Sequence, residues 1–176
     1  ILFWMVDQYM KHIFARDPGC DTLEFDFDKP GAIGPRLSEL SKLDDRDLDM
    51  SGFARRGGKL ILLQGSDDQM ISPKATAAYH DMLRQRLGDK TLERMLRYYE
   101  VPGYGHGRSA TFLASWDQLS ALERWVEQGV DPAEGEVVTD LSGVPGRTRP
   151  LCLYPRFPRY GGKGDVNSAG SFTCSQ

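Results

Sequence analysis

The sequence predicts an α/β fold, with parallel strands flanked by helices and a loop-rich tail. Two apolar runs, Leu60 to Leu63 and Met95 to Val101, read as strands; the first is continuous enough to be buried on both faces. A helical pattern follows each run: Ala75, Tyr79, Met82, Leu83 and Leu87 after the first, Trp116, Leu119, Leu122 and Val126 after the second. Strand, loop, helix, given twice, is the rhythm of a parallel sheet. Beyond Asp131, glycines and the prolines Pro132, Pro145, Pro150, Pro155 and Pro158 mark a tail too short and polar to form a domain of its own.

In chain order, Leu2, Phe3, Val6, Tyr9, Met10, Ile13 and Phe14 describe an amphipathic helix ended by Asp17-Pro18-Gly19. His12 lies within it as a surface or packing residue. The next stretch, Asp21 to Asp49, is acidic; Phe25 and Phe27 alternate with Asp26 and Asp28 as in a short edge strand. Asp47-Leu48-Asp49-Met50-Ser51-Gly52 matches the first half of a calcium loop, but Gly58 stands where the bidentate Glu is needed, so a solvated acidic segment is expected. Gly57-Gly58 stops a short helix ahead of the first strand. After that strand, Ser72 and Pro73 suit the cap and first position of a helix that Gly88 closes. His80, mid-helix, reads as a packing residue. Gly129 stops the last helix. The expected division is a body at 1–130, with a candidate lid-return segment at 1–50, and a tail at 131–176 packed on it.

Charge and composition exclude some partners. Net charge is −3 over 176 residues with basic groups scattered, which leaves no footprint for nucleic acid or an anionic membrane. No apolar run approaches the roughly 20 residues that span a bilayer. The opening Ile1-Leu2-Phe3-Trp4-Met5-Val6 has no initiator Met, basic flank or cleavage site, so it reads as the interior of a longer protein and not as a signal peptide. Cys152 and Cys174 bracket the tail, where a disulfide would restrain a loose segment and imply an oxidising compartment, secreted or periplasmic. The alternative is three free thiols in a cytosolic protein. Cys20 pairs with a residue upstream of Ile1 or with nothing.

The chemistry sits where the strands end. The first runs into Gly65-Ser66-Asp67-Asp68, the second into Val101-Pro102-Gly103-Tyr104-Gly105-His106-Gly107. Carboxyl ends of parallel strands are where open α/β sheets place their ligands. An acid on one tip and a later histidine on the next are the last two members of a Ser, Asp, His hydrolase order. Asp67 and Asp68 compete for the acid, and spacing does not choose between them. No Gly-x-Ser-x-Gly nucleophile elbow occurs; the nearest approach, Gly107-Arg108-Ser109-Ala110-Thr111, follows the histidine and lacks the second glycine. The nucleophile is therefore expected upstream of Ile1.

Three stretches resemble the carboxyl-terminal third of the tannase/feruloyl esterase family. They are Asp47 to Leu62, similar to the family's DLSAF-x-x-RGGKLIL; Gly65 to Pro73 with Val101 to His106; and Arg147-Thr148-Arg149-Pro150-Leu151-Cys152 with Tyr160, Gly161, Gly164-Asp165, Ser171-Phe172 and Cys174. The resemblance implies an α/β-hydrolase fold with a lid, and a disulfide-closed tail. Aligned on Gly65 and Ile71-Ser72-Pro73, it places the catalytic aspartate at Asp68 and the catalytic histidine at His106. It implies hydrolysis of esters of aromatic acids such as gallate or ferulate. Typical members carry a cysteine directly after the histidine, bridged to one before the serine; here that position is Gly107. The family's lid calcium site would lie outside this chain, so no metal or cofactor is expected within it.

The leading expectation is thus a serine carboxylesterase, its partners a small aromatic ester and the upstream part of the same protein. A serine peptidase of the same fold, separable on amide against ester substrates, and a non-catalytic relative or inactive fragment, separable by the upstream sequence, are the alternatives.

Overall fold

A computed structural model describes residues 2–43, 48–133 and 135–176. Asp47, the first residue of the calcium-loop pattern and of the first family-like stretch, lies outside them. The chain divides into two compact units, 1–47 and 48–176.

In the first unit, α1 (Leu2–Gln8) runs directly into a π-helical turn, Tyr9–Phe14, which buries Met10. Asp7 ties the following turn back to this helix, accepting from Lys11 Nζ at 3.0 Å and Thr22 Oγ1 at 2.8 Å. Arg36, on α2 (Gly34–Leu40), donates to the carbonyl of Ile13. The edge strand expected at Phe25 to Asp28 does not form. Asp26 instead accepts the backbone N–H of Asp28 on its side chain, and the Phe25 and Phe27 rings pack edge to face at 4.8 Å. Aspartate bonds its own nearby backbone readily, and here that local bond replaces a ladder.

The second unit is built on β1 (Leu60–Gly65) and β2 (Leu96–Val101), which pair in parallel from Leu60–Leu96 to Gly65–Val101. Parallel pairing needs a long crossover. It is supplied by α4 (Pro73–Leu87) and α5 (Asp89–Met95), which follow α3 (Ser51–Arg55) in numbering. Successive strand side chains point to opposite faces. Leu60, Leu62 and Leu96 pack with Leu83, Leu92 and Met95, while Ile61, Leu63, Tyr99 and Val101 pack with Phe112, Val138 and Leu151. Both faces are covered, which is why the run Leu60 to Leu63 carries no polar alternation.

Several local expectations shift. Met95 closes α5 and the strand starts at Leu96. Ser72 holds the cap position of α4 without a side-chain capping bond. Ala75 and Met82 face solvent; the inward stripe of α4 is Tyr79, Leu83 and Leu87 at four-residue spacing. On α6 (Gln118–Gln128), Leu119 and Val126 are 66% and 59% exposed, and Ala121 and Trp125 face inward instead. The Trp125 ring lies under the Arg97 guanidinium at 4.7 Å and the Lys59 ammonium at 4.9 Å, so the aromatic face, not the aliphatic one, seats this helix. His80 packs against both the Tyr98 and Tyr154 rings, which also touch each other, as a packing residue should.

The tail is turn-rich and, among its described residues, also carries four short strands. β4 (Val137–Asp140) pairs antiparallel with β3 (Ala114–Ser115) and β5 (Thr148–Pro150), and β6 (Phe157–Tyr160) pairs with β7 (Phe172–Ser175). Leu153 and Tyr154 bond along β2, covering its outer edge. The Cys152–Cys174 disulfide is present and joins the end of β5 to β7; Cys20 is a free thiol. Its two halves are 22 residues apart in sequence, so replacing both by Ser should lower stability by about 3 kcal/mol, read from the urea midpoint. No described helix is long and apolar enough to cross a membrane.

Candidate active site

Parallel pairing in register brings the tips of β1 and β2 to the same end of the sheet. The ladder runs one residue further, with Ser66 N–H donating to the carbonyl of Val101 at 3.0 Å. Two more bonds dock the turns on each other: Asp67 N–H to the Tyr104 carbonyl, and Gly103 N–H to Ser66 Oγ, both 3.0 Å. This approach demands glycine at position 65. A Cβ built there would lie 2.0 Å from the Tyr104 carbonyl oxygen, and one at Gly105 would lie 2.6 Å from that of Arg108. Gly107 has φ +66°, a left-handed conformation that lets the chain turn away directly after the imidazole.

The result is a contact of 3.1 Å between Asp68 Oδ2 and His106 Nδ1. The Asp68 side chain is 7% exposed and that of His106 49%. With Nδ1 donating to the carboxylate, Nε2 is the basic nitrogen. Asp68 Oδ1 is occupied separately, by the backbone N–H groups of Met70 at 2.8 Å and Ile71 at 2.9 Å. Burial alone would push this carboxyl up. The Ile71 and Met70 amides, His106 and Gln64 outweigh it and hold the pKa at about 2, below the ordinary 3.8. Asp67 is exposed, and its carboxylate takes the Ser66 hydroxyl at 2.8 Å.

Ser109, in the nearest approach to an elbow, has its hydroxyl committed to backbone. It donates to the Gly103 carbonyl at 2.7 Å and accepts from Thr111 and Phe112 N–H at 3.1 and 3.2 Å.

Two features were not singled out in the sequence. Gln64, buried on β1, places its amide against Asp68. The other is Asp140, fully buried, with Oδ1 accepting from Leu113, Ser142 and Gly143 N–H and Oδ2 from Val144 N–H and Arg147 Nη2. Burial opposes its ionisation, but these backbone donors prevail and hold the carboxyl far below the usual range. Arg147 also donates to the Thr111 carbonyl, and Ser142 Oγ to that of Ser109 at 2.5 Å. The loop 140–147 therefore grips the segment that leaves His106. A polar residue ending an otherwise apolar strand, and an Asp opening an Asp-Leu-Ser-Gly turn, were the signals available for these two.

Among the described residues no group of three or more His, Cys, Asp or Glu could hold a metal ion. In the acidic segment, Asp49 accepts the Ser51 N–H as a turn ahead of α3.

A parallel sheet with an acid and a histidine on adjacent strand tips defines a protein of the α/β-hydrolase class. Within that class, the chain belongs to the tannase and feruloyl esterase family, whose sequence profile matches residues 3–175. It is 39% identical over 170 residues to an uncharacterised esterase of Agrobacterium fabrum, covering 96% of this chain and 31% of that protein. It is 36% identical over 133 residues to the mono(2-hydroxyethyl) terephthalate hydrolase of Piscinibacter sakaiensis, covering 72% of this chain and 21% of the hydrolase. The fold matches the crystal structure of feruloyl esterase B from Aspergillus oryzae with a TM-score of 0.81 at 20% identity, over 96% of this chain and 36% of that one. The chain thus spans a third or less of the length of these two curated relatives.

Proposed function

We propose that this chain is the carboxyl-terminal part of a serine carboxylesterase acting on esters of hydroxybenzoic or hydroxycinnamic acids, with the serine upstream of Ile1. The observation that carries this reading is the Asp68–His106 contact at the tips of two parallel strands. The serine attacks the ester carbonyl as His106 Nε2 takes its proton; the imidazolium then protonates the departing alkoxide. Asp68 fixes the tautomer and stabilises the imidazolium. Water, deprotonated by the same nitrogen, releases the acid from the acyl-enzyme. No step calls for a cofactor within this chain. The aromatic acid is supported by the likeness to a mono(2-hydroxyethyl) terephthalate hydrolase and by membership of the tannase and feruloyl esterase family. The disulfide supports a secreted or periplasmic protein. Residues 1–50 are assigned to the return from a lid.

In the full-length protein, His106→Ala should lower kcat on methyl ferulate or methyl gallate by at least about 10⁴-fold. Retained turnover would overturn the assignment. The 176 residues alone should hydrolyse neither ester, lacking the nucleophile.

A further inference from the structure

We infer that Gln64 is a positioning residue, whose side-chain amide locks the Asp68 carboxylate in the orientation that receives His106. The inference rests on the Asp68–His106 reading above.

Gln64 is the fifth residue of β1, 7% exposed, and its side chain joins three elements. Nε2 lies 3.2 Å from Asp68 Oδ2, 3.2 Å from the Gly65 carbonyl and 3.3 Å from the Ile71 carbonyl. Oε1 accepts the Thr76 hydroxyl of α4 at 2.9 Å. The orientation of the amide follows from chemistry. Turned over, Oε1 would face three acceptors, one of them a carboxylate, with no proton to share. Strand tip, acid turn and helix are thus fastened through one neutral amide, which donates to the first two and accepts from the third.

The oxygen Gln64 holds is the one that meets the imidazole. Asp68 Oδ1 is already satisfied by two backbone amides. Oδ2 has two donors, Gln64 Nε2 and His106 Nδ1, and the histidine is half exposed. Remove Gln64, and Oδ2 keeps only the more mobile partner, so carboxylate and ring can shift together. A hydrogen bond to an ionised carboxylate is about twice as strong as a neutral one, and a strand-borne donor gives up little freedom to make it. The neutrality of Gln64 also matters. Its surroundings are otherwise acidic: Asp68 beside it, Asp67 in the same turn, and Glu100 opposite it in the ladder, with Glu100 engaged by the Tyr98 hydroxyl at 3.4 Å. Lys74, in the first turn of α4, lines the same cleft as Glu100. A carboxylate at position 64 would add negative charge beside Asp68 and favour the imidazolium of His106.

The test is a double-mutant cycle in the full-length esterase on methyl ferulate, with rates normalised to active sites. Gln64→Met, close in size but unable to donate, should lower kcat about tenfold and change KM less than about twofold. In an Asp68→Asn background the same substitution should change kcat less than about twofold, because Gln64 acts through the carboxylate that is no longer there. Gln64→Glu should move the acid limb of the kcat/KM profile to higher pH, a displacement that a loss of folded protein does not produce. Equal effects of Gln64→Met in both backgrounds, or an unmoved acid limb in Gln64→Glu, would overturn the inference. Should Gln64→Met fail to fold, the isosteric Gln64→Glu profile decides alone. The catalytic reading fails separately, if His106→Ala retains wild-type turnover.

Discussion

On the proposed reading, replacing Asp68 by Asn should lower kcat of the full-length protein about 10⁴-fold while leaving it folded. The expected size is that known for the same substitution in serine-protease triads. An Asn Oδ1 can still accept the Met70 and Ile71 amides, so the turn keeps its shape. At the Oδ2 position, however, the amide nitrogen presents a donor to His106 Nδ1 where the carboxylate presented an acceptor. The ring then accepts at Nδ1 and carries its proton on Nε2, the wrong tautomer for taking a proton from serine. Steady-state kinetics on methyl ferulate, with circular dichroism to show the fold, measure this. A loss of less than tenfold would mean that Asp68 does not serve the base. Acid behaviour separates the two members of the pair. Because the folded pKa of Asp68 is about 2, below its unfolded value near 3.8, the stability it contributes is in place above about pH 4 and is lost as pH falls toward 2.

Replacing Asp140 by Ala should be the most destabilising single substitution, costing about 3–5 kcal/mol. The carboxylate is fully buried and accepts four backbone N–H groups and the Arg147 guanidinium. Truncation strands the four backbone donors and leaves Arg147 charged and mostly covered, with the Thr111 carbonyl still accepting from it. A Cβ on Gly143 would lie 2.1 Å from the Thr111 carbonyl, which shows how closely the two segments meet and how little room there is for the loop to rearrange. The urea midpoint should fall with the m-value unchanged. Loss of under 1 kcal/mol would assign the loop a marginal role. Catalysis should suffer with stability, because the segment 109–113 that Asp140 and Arg147 hold leads directly from His106. Where Gly107 replaces the cysteine expected of typical family members, this hydrogen-bonded grip is a restraint on the histidine loop that the chain itself provides. Asp140→Asn should also flatten the acid end of the stability profile. The native carboxyl titrates below its unfolded value, so its contribution is present above about pH 4 and lost below it.

Much of the second unit was legible in the sequence. The strand Leu60 to Gly65 announced itself by a continuous apolar run, and the helix from Pro73 by its proline start and its glycine stop at Gly88. Helix faces were less legible. Leu119 and Val126 have the right spacing for burial, yet Trp125 decides the orientation because Arg97 and Lys59 stack on it from β2 and the start of β1. Those cations are distant in sequence, and no periodicity contains them. Phe25 and Phe27 misled in the opposite direction, since alternation suits a strand only where a partner strand exists to accept the ladder.

By itself, the sequence determined the parallel α/β pattern, the candidacy of Cys152 and Cys174 for a bridge and the nomination of an acid and a histidine after successive strands. These are properties of local spacing and residue type, which the chain carries wherever it folds. Between Asp67 and Asp68, spacing left the choice open and family likeness favoured the second. In the structure two backbone amides and the Gln64 amide meet the Asp68 carboxylate, which contacts the His106 ring, while the Asp67 carboxylate accepts from Ser66. The need for Gly65, the partnership of Gln64 with Asp68 and the grip of Asp140 on the segment after His106 were likewise decided only in three dimensions. Each is a contact between residues that strand register and loop docking bring together, and linear spacing holds no record of such distances.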